Sequence, residues 1–185
     1  HLYSNSNEIS FQGMADCHAI AVGWRKLTSN YDFNLIIIHD SLLPKYRGFA
    51  PTVSQLINGE KTLGVTAFFA TDEYDCGDII CSNAVNINYP CKINEAFNLL
   101  ASCYFRCIEN IFNDLNSGIT LSTTKQSLYG RPTYTMWRDE YDYFIDWELP
   151  APEILKTIDA LSYPYDGAQT MVGKERIIIH EGELY

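Results

Sequence analysis

The sequence lacks the features that define several large classes of protein. Its six cysteines form no CxxC pair and no Cys/His spacing typical of a zinc site, and a chain of 185 residues needs no disulfides to fold. No apolar run approaches the roughly 20 residues that span a membrane, and no stretch resembles a signal peptide. We therefore expect a cytoplasmic protein with reduced cysteines, no metal site and no membrane partner.

Basic side chains are also scarce. The 23 acidic residues outnumber the 13 basic ones, which gives a net charge of -10, and the lysines and arginines do not cluster. Because proteins bind nucleic acids by neutralising phosphates with basic side chains, this balance argues against a tRNA or DNA partner. A small anionic ligand held by a few donors remains compatible with it.

The residues that are present suit a folded domain, since 46% of them are apolar. Short β-branched or aromatic runs alternate with stretches in which apolar residues recur every three or four positions, a pattern that predicts an α/β fold. We predict strands at residues 19–22, 35–38, 64–70 and 79–84, helices that begin near Pro51 and span 94–116 and 151–161, and a C-terminal hairpin from 169–172 and 177–180.

His39 is the strongest candidate for acid–base chemistry. It directly follows the apolar run at residues 35–38, which places it at the carboxyl end of a buried strand, where open α/β sheets bind their ligands. Asp75 follows the strand at residues 64–70, so we expect it at the same edge of the sheet. A carboxylate beside an imidazole fixes its tautomer and favours its charged form. The competing interpretation is a structural histidine bonded to a backbone carbonyl.

The loop after His39 has the composition of a rigid binding loop. Pro44, Gly48 and Pro51 make it stiff and tightly turned, while a lysine and an arginine between them supply positive charge. A solvated turn is the alternative. An aromatic-rich segment further along is suited to stacking a base or a sugar, or to forming a small core under a long loop. Its residues are Tyr134, Trp137, Tyr141, Tyr143 and Phe144.

Three stretches together resemble the signature of the folate-dependent formyltransferases. They are HDSLLPKYRGFAP at residues 39–51, GVTAFF at 64–69 and DEYDCGDII at 72–80. That family includes methionyl-tRNA formyltransferase, glycinamide ribonucleotide transformylase and the sugar N-formyltransferases. Residues 145–147 and 160–168 are similar to the join with the family's C-terminal part.

The resemblance implies a Rossmann-like core with a mostly parallel sheet, followed by a small C-terminal β-rich segment. We expect the core to occupy residues 1–147 without the family's first βαβ portion. Residues 148–185 would be the start of a C-terminal subdomain, made of a helix and the hairpin. A second copy of the chain could pair with the free edge of the hairpin, so a homodimer is compatible with the sequence. The implied reaction moves a formyl group from N10-formyltetrahydrofolate to an amine, without a metal.

The resemblance also implies roles for individual residues. His39 matches the catalytic histidine, and Asp75 matches the aspartate that orients it. Residues matching the segments that line the folate pocket are Lys26, Leu27, Thr28, Arg47, Gly48, Phe49, Thr71, Asp72, Glu73, Tyr74 and Asp75. We expect the acceptor to contact Trp24, Arg25, Lys45 and Tyr46.

One position departs from the family pattern. The catalytic motif is Asn-x-His, and its asparagine amide stabilises the developing oxyanion, but Ile37 stands there. Loss of one such donor typically slows a reaction about 10²- to 10³-fold. A non-catalytic relative that binds folate or a nucleotide sugar is therefore the alternative to an active enzyme.

The acceptor is suggested by the loop and by the charge. The sequence of residues 42–51 is closer to the tRNA and sugar branches than to the purine branch. The acidic balance disfavours methionyl-tRNA as the acceptor. The expected partner is a nucleotide-diphosphate-linked amino sugar, of the kind used in lipopolysaccharide or O-antigen biosynthesis.

Overall fold

The computed structural model describes residues 17–23 and 33–184. The strands of its main sheet are β1 (His18–Val22), β2 (Asn34–His39), β4 (Thr62–Phe69) and β5 (Ile79–Asn86), while β3 (Arg47–Gly48) lies in a second, smaller sheet. Within the described residues the four strands of the main sheet lie in the order β1-β2-β4-β5. Trp24, Arg25, Lys26, Leu27 and Thr28, expected to bind acceptor or folate, lie outside the described residues.

The α/β class is confirmed, but the described sheet is mixed rather than mostly parallel. β1 pairs with β2 in parallel, whereas β2 with β4 and β4 with β5 are antiparallel. The loop at residues 70–78 joins β4 to β5, and a connection this short permits antiparallel pairing, while a parallel neighbour needs a longer crossover. Because β2 and β4 are antiparallel, His39 lies opposite Thr66 in the middle of β4, and not beside the carboxyl end of that strand.

Three helices form the main core with one face of this sheet: one of them packs on β4 and β5, a second packs on the first, and the third packs on the second. They are α1 (Pro51–Ile57), α2 (Ile93–Asn116) and α3 (Ala151–Ala160), close to the predicted bounds. Glu95 supports the start of α2 by accepting a hydrogen bond from the backbone N–H of Lys92 at 3.2 Å. The core contains residues from the sheet and from all three helices, among them Ile36, Ile38, Val65, Leu56, Leu100, Ile111, Ile158 and Ala160.

The alternation of β2 side chains decides which face carries His39. Ile36 and Ile38 enter the main core, so Ile37 and His39 point to the opposite face. There Ile37 packs against a small cluster of Leu43, Phe68 and Ile79. Ile37 and His39 thus lie next to each other along the same side of one strand.

Two short pairings complete the described fold. β3 pairs in parallel with β6 (Tyr134–Thr135), which brings the segment around residues 133–138 against the loop after His39. β7 (Ala168–Val172) and β8 (Glu175–Ile179) form the predicted C-terminal hairpin. Among the described residues no helix has the length and apolar character required to cross a membrane.

Candidate active site

His39, at the end of β2, has a polar neighbour at each ring nitrogen. Its Nε2 lies 2.7 Å from the carbonyl oxygen of Tyr46 and its Nδ1 lies 3.6 Å from Oδ2 of Asp75. A carbonyl oxygen only accepts hydrogen bonds, so Nε2 carries a proton and donates. The tautomer is therefore set by the Tyr46 carbonyl and not, as expected, by Asp75. The Tyr46 carbonyl is the contact expected of a structural histidine, and Asp75 is the neighbour expected of a catalytic one. His39 has both.

Asp75 reaches His39 from a loop that folds back along the sheet. Because β4 is antiparallel to β2, the expectation that both strands end at the same edge is wrong. The loop leaves β4 beside Leu35, where Ala70 N–H donates to the Leu35 carbonyl at 2.8 Å, and returns to His39 at Asp75. Asp75 adopts a left-handed backbone conformation with φ 53°. Its carboxylate accepts a hydrogen bond from the backbone N–H of Gly48 at 2.7 Å.

Gly48 is required where it stands. Its φ is +105°, and a Cβ atom at this position would lie 2.3 Å from the carbonyl oxygen of Thr135. Only glycine allows β3 to approach β6 this closely in such a backbone conformation. The same close pairing directs the Gly48 N–H at Asp75.

Gln126 is a candidate positioning residue that the sequence reasoning missed. Its side-chain amide donates to the carbonyl oxygens of Asp75 at 2.8 Å and Gly77 at 2.7 Å, and the residue is buried, with 4% of its surface exposed. Arg47 fixes the other end of the same amide group, because its guanidinium donates to Gln126 Oε1 at 2.6 and 3.1 Å. Gln126 lies 51 residues beyond Asp75 in a short 3-10 helix, Gln126–Tyr129, so no local spacing signals this contact.

A cleft of about 370 Å³ opens beside this pair. Six residues predicted to bind folate line it: Gly48, Phe49, Thr71, Glu73, Tyr74 and Asp75. The Phe49 ring centroid lies 5.7 Å from that of Tyr74 and 5.3 Å from that of Trp137, so the cleft has an aromatic wall. The expected formyl donor carries a flat heteroaromatic ring, which such a wall fits in size and chemistry.

The remaining predicted residues lie elsewhere. Lys45 and Tyr46 line a second, more open cleft of about 470 Å³, where Tyr46 donates to Glu60 at 2.8 Å and Lys45 lies 3.8 Å from the same carboxylate. Arg47 and Asp72 line neither cleft. Burial raises the pKa of Tyr46, so its hydroxyl stays protonated at neutral pH and keeps donating to Glu60.

Ile37 lines the first cleft beside His39, so an apolar side chain stands where the family resemblance predicts an amide. Two other donors border that cleft with unused capacity. Thr52 Oγ1 and Arg138 Nε are buried and have no hydrogen-bond partner in the described part of the chain. Arg138 is anchored by its Nη2, which donates to Ser54 Oγ at 3.0 Å. Residues 17–23 and 33–184 contain no group of His, Cys, Asp and Glu arranged to hold a metal ion.

The chain matches known proteins in sequence and in fold. The formyl transferase family profile matches residues 21–96, and the profile of the formyl transferase C-terminal domain matches residues 139–185. A methionyl-tRNA formyltransferase from Treponema denticola is 31% identical over 153 residues, which cover 81% of this chain. The chain spans 46% of that relative's length.

Two solved structures show the same fold. A methionyl-tRNA formyltransferase from Clostridium thermocellum superposes with a TM-score of 0.72 at 20% identity, over 94% of this chain and 76% of the other. An N-formyltransferase from Helicobacter canadensis, in complex with folinic acid and dTDP-3-aminofucose, has a TM-score of 0.68 at 21% identity, over 86% and 60% of the two chains.

Proposed function

We propose, since this chain belongs to the formyl transferase family, that it transfers a formyl group from N10-formyltetrahydrofolate to the amino group of a nucleotide-linked amino sugar. The observation that carries the proposal is the His39–Asp75 pair, with Nδ1 and Oδ2 3.6 Å apart beside a cleft with an aromatic wall. The donor supplies an activated formyl carbon. The protein's own residues must then orient it, exclude water and move protons.

The hydrogen bonds favour one ring nitrogen of His39 as the proton-transferring atom. Nε2 of His39 is committed to the Tyr46 carbonyl at 2.7 Å, whereas Nδ1 lies 3.6 Å from Asp75, beyond hydrogen-bond distance. We infer that Nδ1 takes a proton from the acceptor nitrogen and passes it on. Asp75 stabilises the charged imidazole that forms, and the Gly48 N–H holds the carboxylate in place. His39 is only 8% exposed, so water competes little for this proton.

Two observations support an amino sugar as the acceptor. The net charge of -10 is unfavourable for a tRNA. The aromatic side chain of Trp137 borders both clefts and is 61% exposed, which suits stacking on a base or a sugar.

Six free cysteines are consistent with the cytoplasm, where nucleotide sugars for lipopolysaccharide or O-antigen biosynthesis would be modified.

A second candidate acceptor is methionyl-tRNA, favoured by the 31% identity to a methionyl-tRNA formyltransferase. A third possibility is a non-catalytic folate-binding or nucleotide-sugar-binding relative, favoured by Ile37. These candidates predict different products from the same mixture.

The test incubates the full-length protein with N10-formyltetrahydrofolate and, separately, with dTDP- and UDP-linked amino sugars and with methionyl-tRNA. Mass spectrometry then identifies any acceptor that gains one formyl group. We expect formylation of an amino sugar and none by His39→Asn. Formylation of methionyl-tRNA alone would replace the proposed acceptor, and no formylated product from any acceptor would favour the binding protein.

A further inference from the structure

The proton balance of formyl transfer calls for a second acceptor besides His39. An aliphatic amine is an ammonium ion near neutral pH, with three protons on nitrogen, and its formamide product carries one. One of the two protons lost goes through His39 to the N10 nitrogen as its bond to the formyl carbon breaks. The other must leave before the nitrogen lone pair can attack. His39, whose Nε2 already carries a proton, accepts only one.

Asp40 is placed to take that proton. It directly follows His39 at the end of β2, borders the same cleft and is half-buried. Gln55 fixes its backbone by donating to the Asp40 carbonyl oxygen at 2.7 Å. Within residues 17–23 and 33–184 its carboxylate makes no hydrogen bond, so a residue that borders the cleft has its acceptor capacity unused. Such a group is costly to keep in a folded protein without a ligand that uses it.

The other carboxylates near the cleft are less suited to this role. Asp75 Oδ2 already accepts the Gly48 N–H and faces His39. Glu73 borders the cleft but is exposed to water. Asp40 is therefore the carboxylate that combines shelter from water with a free acceptor.

The groups that face Asp40 set its protonation. Burial raises the pKa of Asp40, while His39 on the same strand acts in the opposite direction when its ring carries a second proton. From other elements, Asp75, Glu73, Tyr104, Tyr143, Tyr165 and Arg138 border the same cleft. Arg138 donates to Ser54 rather than to Asp40.

We propose that Asp40 binds the ammonium group of the acceptor and removes its first proton. This inference rests on the proposed function. Asp40 becomes a carboxylic acid, and the acceptor nitrogen then forms its bond to the formyl carbon as the bond from that carbon to N10 breaks. The second proton goes through His39 Nδ1 to N10. Asp40 returns its proton to water when the product leaves, so one proton is released per turnover.

Binding tests the first half of this inference. Affinities of the wild-type protein and Asp40→Asn are measured for dTDP-3-aminofucose and for dTDP-fucose, which has a hydroxyl in place of the amine. Because a hydrogen bond to a charged group is lost, we expect wild type to prefer the amine by about 10- to 100-fold and Asp40→Asn to lose that preference. Glu109→Gln, which removes an exposed charge from α2, serves as the matched control and should keep it.

The pH dependence of transfer tests the second half. Asp40→Asn should be slow at neutral pH and should recover as the pH rises above the pKa of the acceptor ammonium, since a neutral amine needs no first proton acceptor. Binding of folinic acid checks the fold of each variant. If asparagine at this position disturbs folding, Asp40→Glu provides the test, because it keeps the charge and should retain both the preference and the pH profile.

The outcomes separate the two claims. If wild type formylates an amino sugar but Asp40→Asn keeps the preference for the amine, or shows no alkaline recovery, the role of Asp40 is overturned while the proposed function stands. If the wild-type protein formylates no amine, the proposed function fails and the role of Asp40 fails with it.

Discussion

Replacing Ile37 by asparagine would introduce the amide that the family resemblance predicts two residues before His39. The substitution is informative because Ile37 and His39 lie on the same side of β2 and border the same cleft. If the reaction is limited by the lack of this donor, Ile37→Asn should raise the rate of formyl transfer by about 10²- to 10³-fold.

The gain has a cost in stability that the packing sets. Ile37 is half-buried against Leu43, Phe68 and Ile79, which are 4%, 1% and 6% exposed. Full burial of an isoleucine side chain contributes about 1.5–3 kcal/mol, so the half-buried side chain contributes about 0.8–1.5 kcal/mol. For a chain of this length we expect the melting temperature to fall by about 2–6 °C.

Single-turnover formyl transfer and thermal melting measure the two effects together. Ile37→Asp is the matched control, because aspartate has the shape of asparagine but no N–H donor. It should lose stability and gain no rate. Equal rates for the asparagine and aspartate variants would refute the reasoning, and would indicate that Thr52 or Arg138 already supplies the missing donor.

Three further predictions concern residues around the site and in the core. Gln126→Glu keeps the acceptor for Arg47 but removes the amide that donates to the Asp75 carbonyl; we expect kcat to fall more than tenfold with little change in KM for the folate, and unchanged kcat would contradict this. Gly48→Ala should lower both activity and melting temperature, because its Cβ would lie 2.3 Å from the Thr135 carbonyl oxygen; a wild-type melting curve would be inconsistent with that contact. Burial raises the pKa of Asp159, so the contribution of this residue to stability is most favourable below the unfolded pKa and is lost as the pH rises through the folded pKa. Asp159→Asn should therefore melt above wild type at neutral pH and lose this advantage below pH 3.8. A difference in melting temperature that does not depend on pH would argue against this.

The sequence allowed the main elements to be predicted because their patterns are local. The α2 stripe recurs at helical spacing, and the β2 run is apolar because both of its faces are covered. The orientation of β4 was not predictable in this way, since strand direction depends on pairing partners and not on periodicity. His39 and Asp75 were paired for the wrong topological reason, and the loop that joins them was visible only in the structure.

The contacts that hold the site span long distances in sequence. Gln126 reaches Asp75 across 51 residues, and Thr135 donates to the Arg47 carbonyl across 88. No spacing rule connects such residues, because their proximity follows from β3–β6 pairing and from how the chain returns to the sheet. The Tyr46 carbonyl that sets the His39 tautomer is a backbone group. Every residue has such a carbonyl, so the residue type at this position does not predict the contact.

The central claim is that Asp75 supports proton transfer by His39 during formyl transfer, and Asp75→Asn tests it most directly. Asparagine keeps an oxygen that can accept the Gly48 N–H but removes the charge that faces His39 Nδ1. The measurement is kcat/KM for formylation of the acceptor identified with wild type, alongside folinic acid binding and melting temperature. We expect kcat/KM to fall by about 10²- to 10⁴-fold with binding and melting unchanged. Wild-type kcat/KM in this variant would contradict the account.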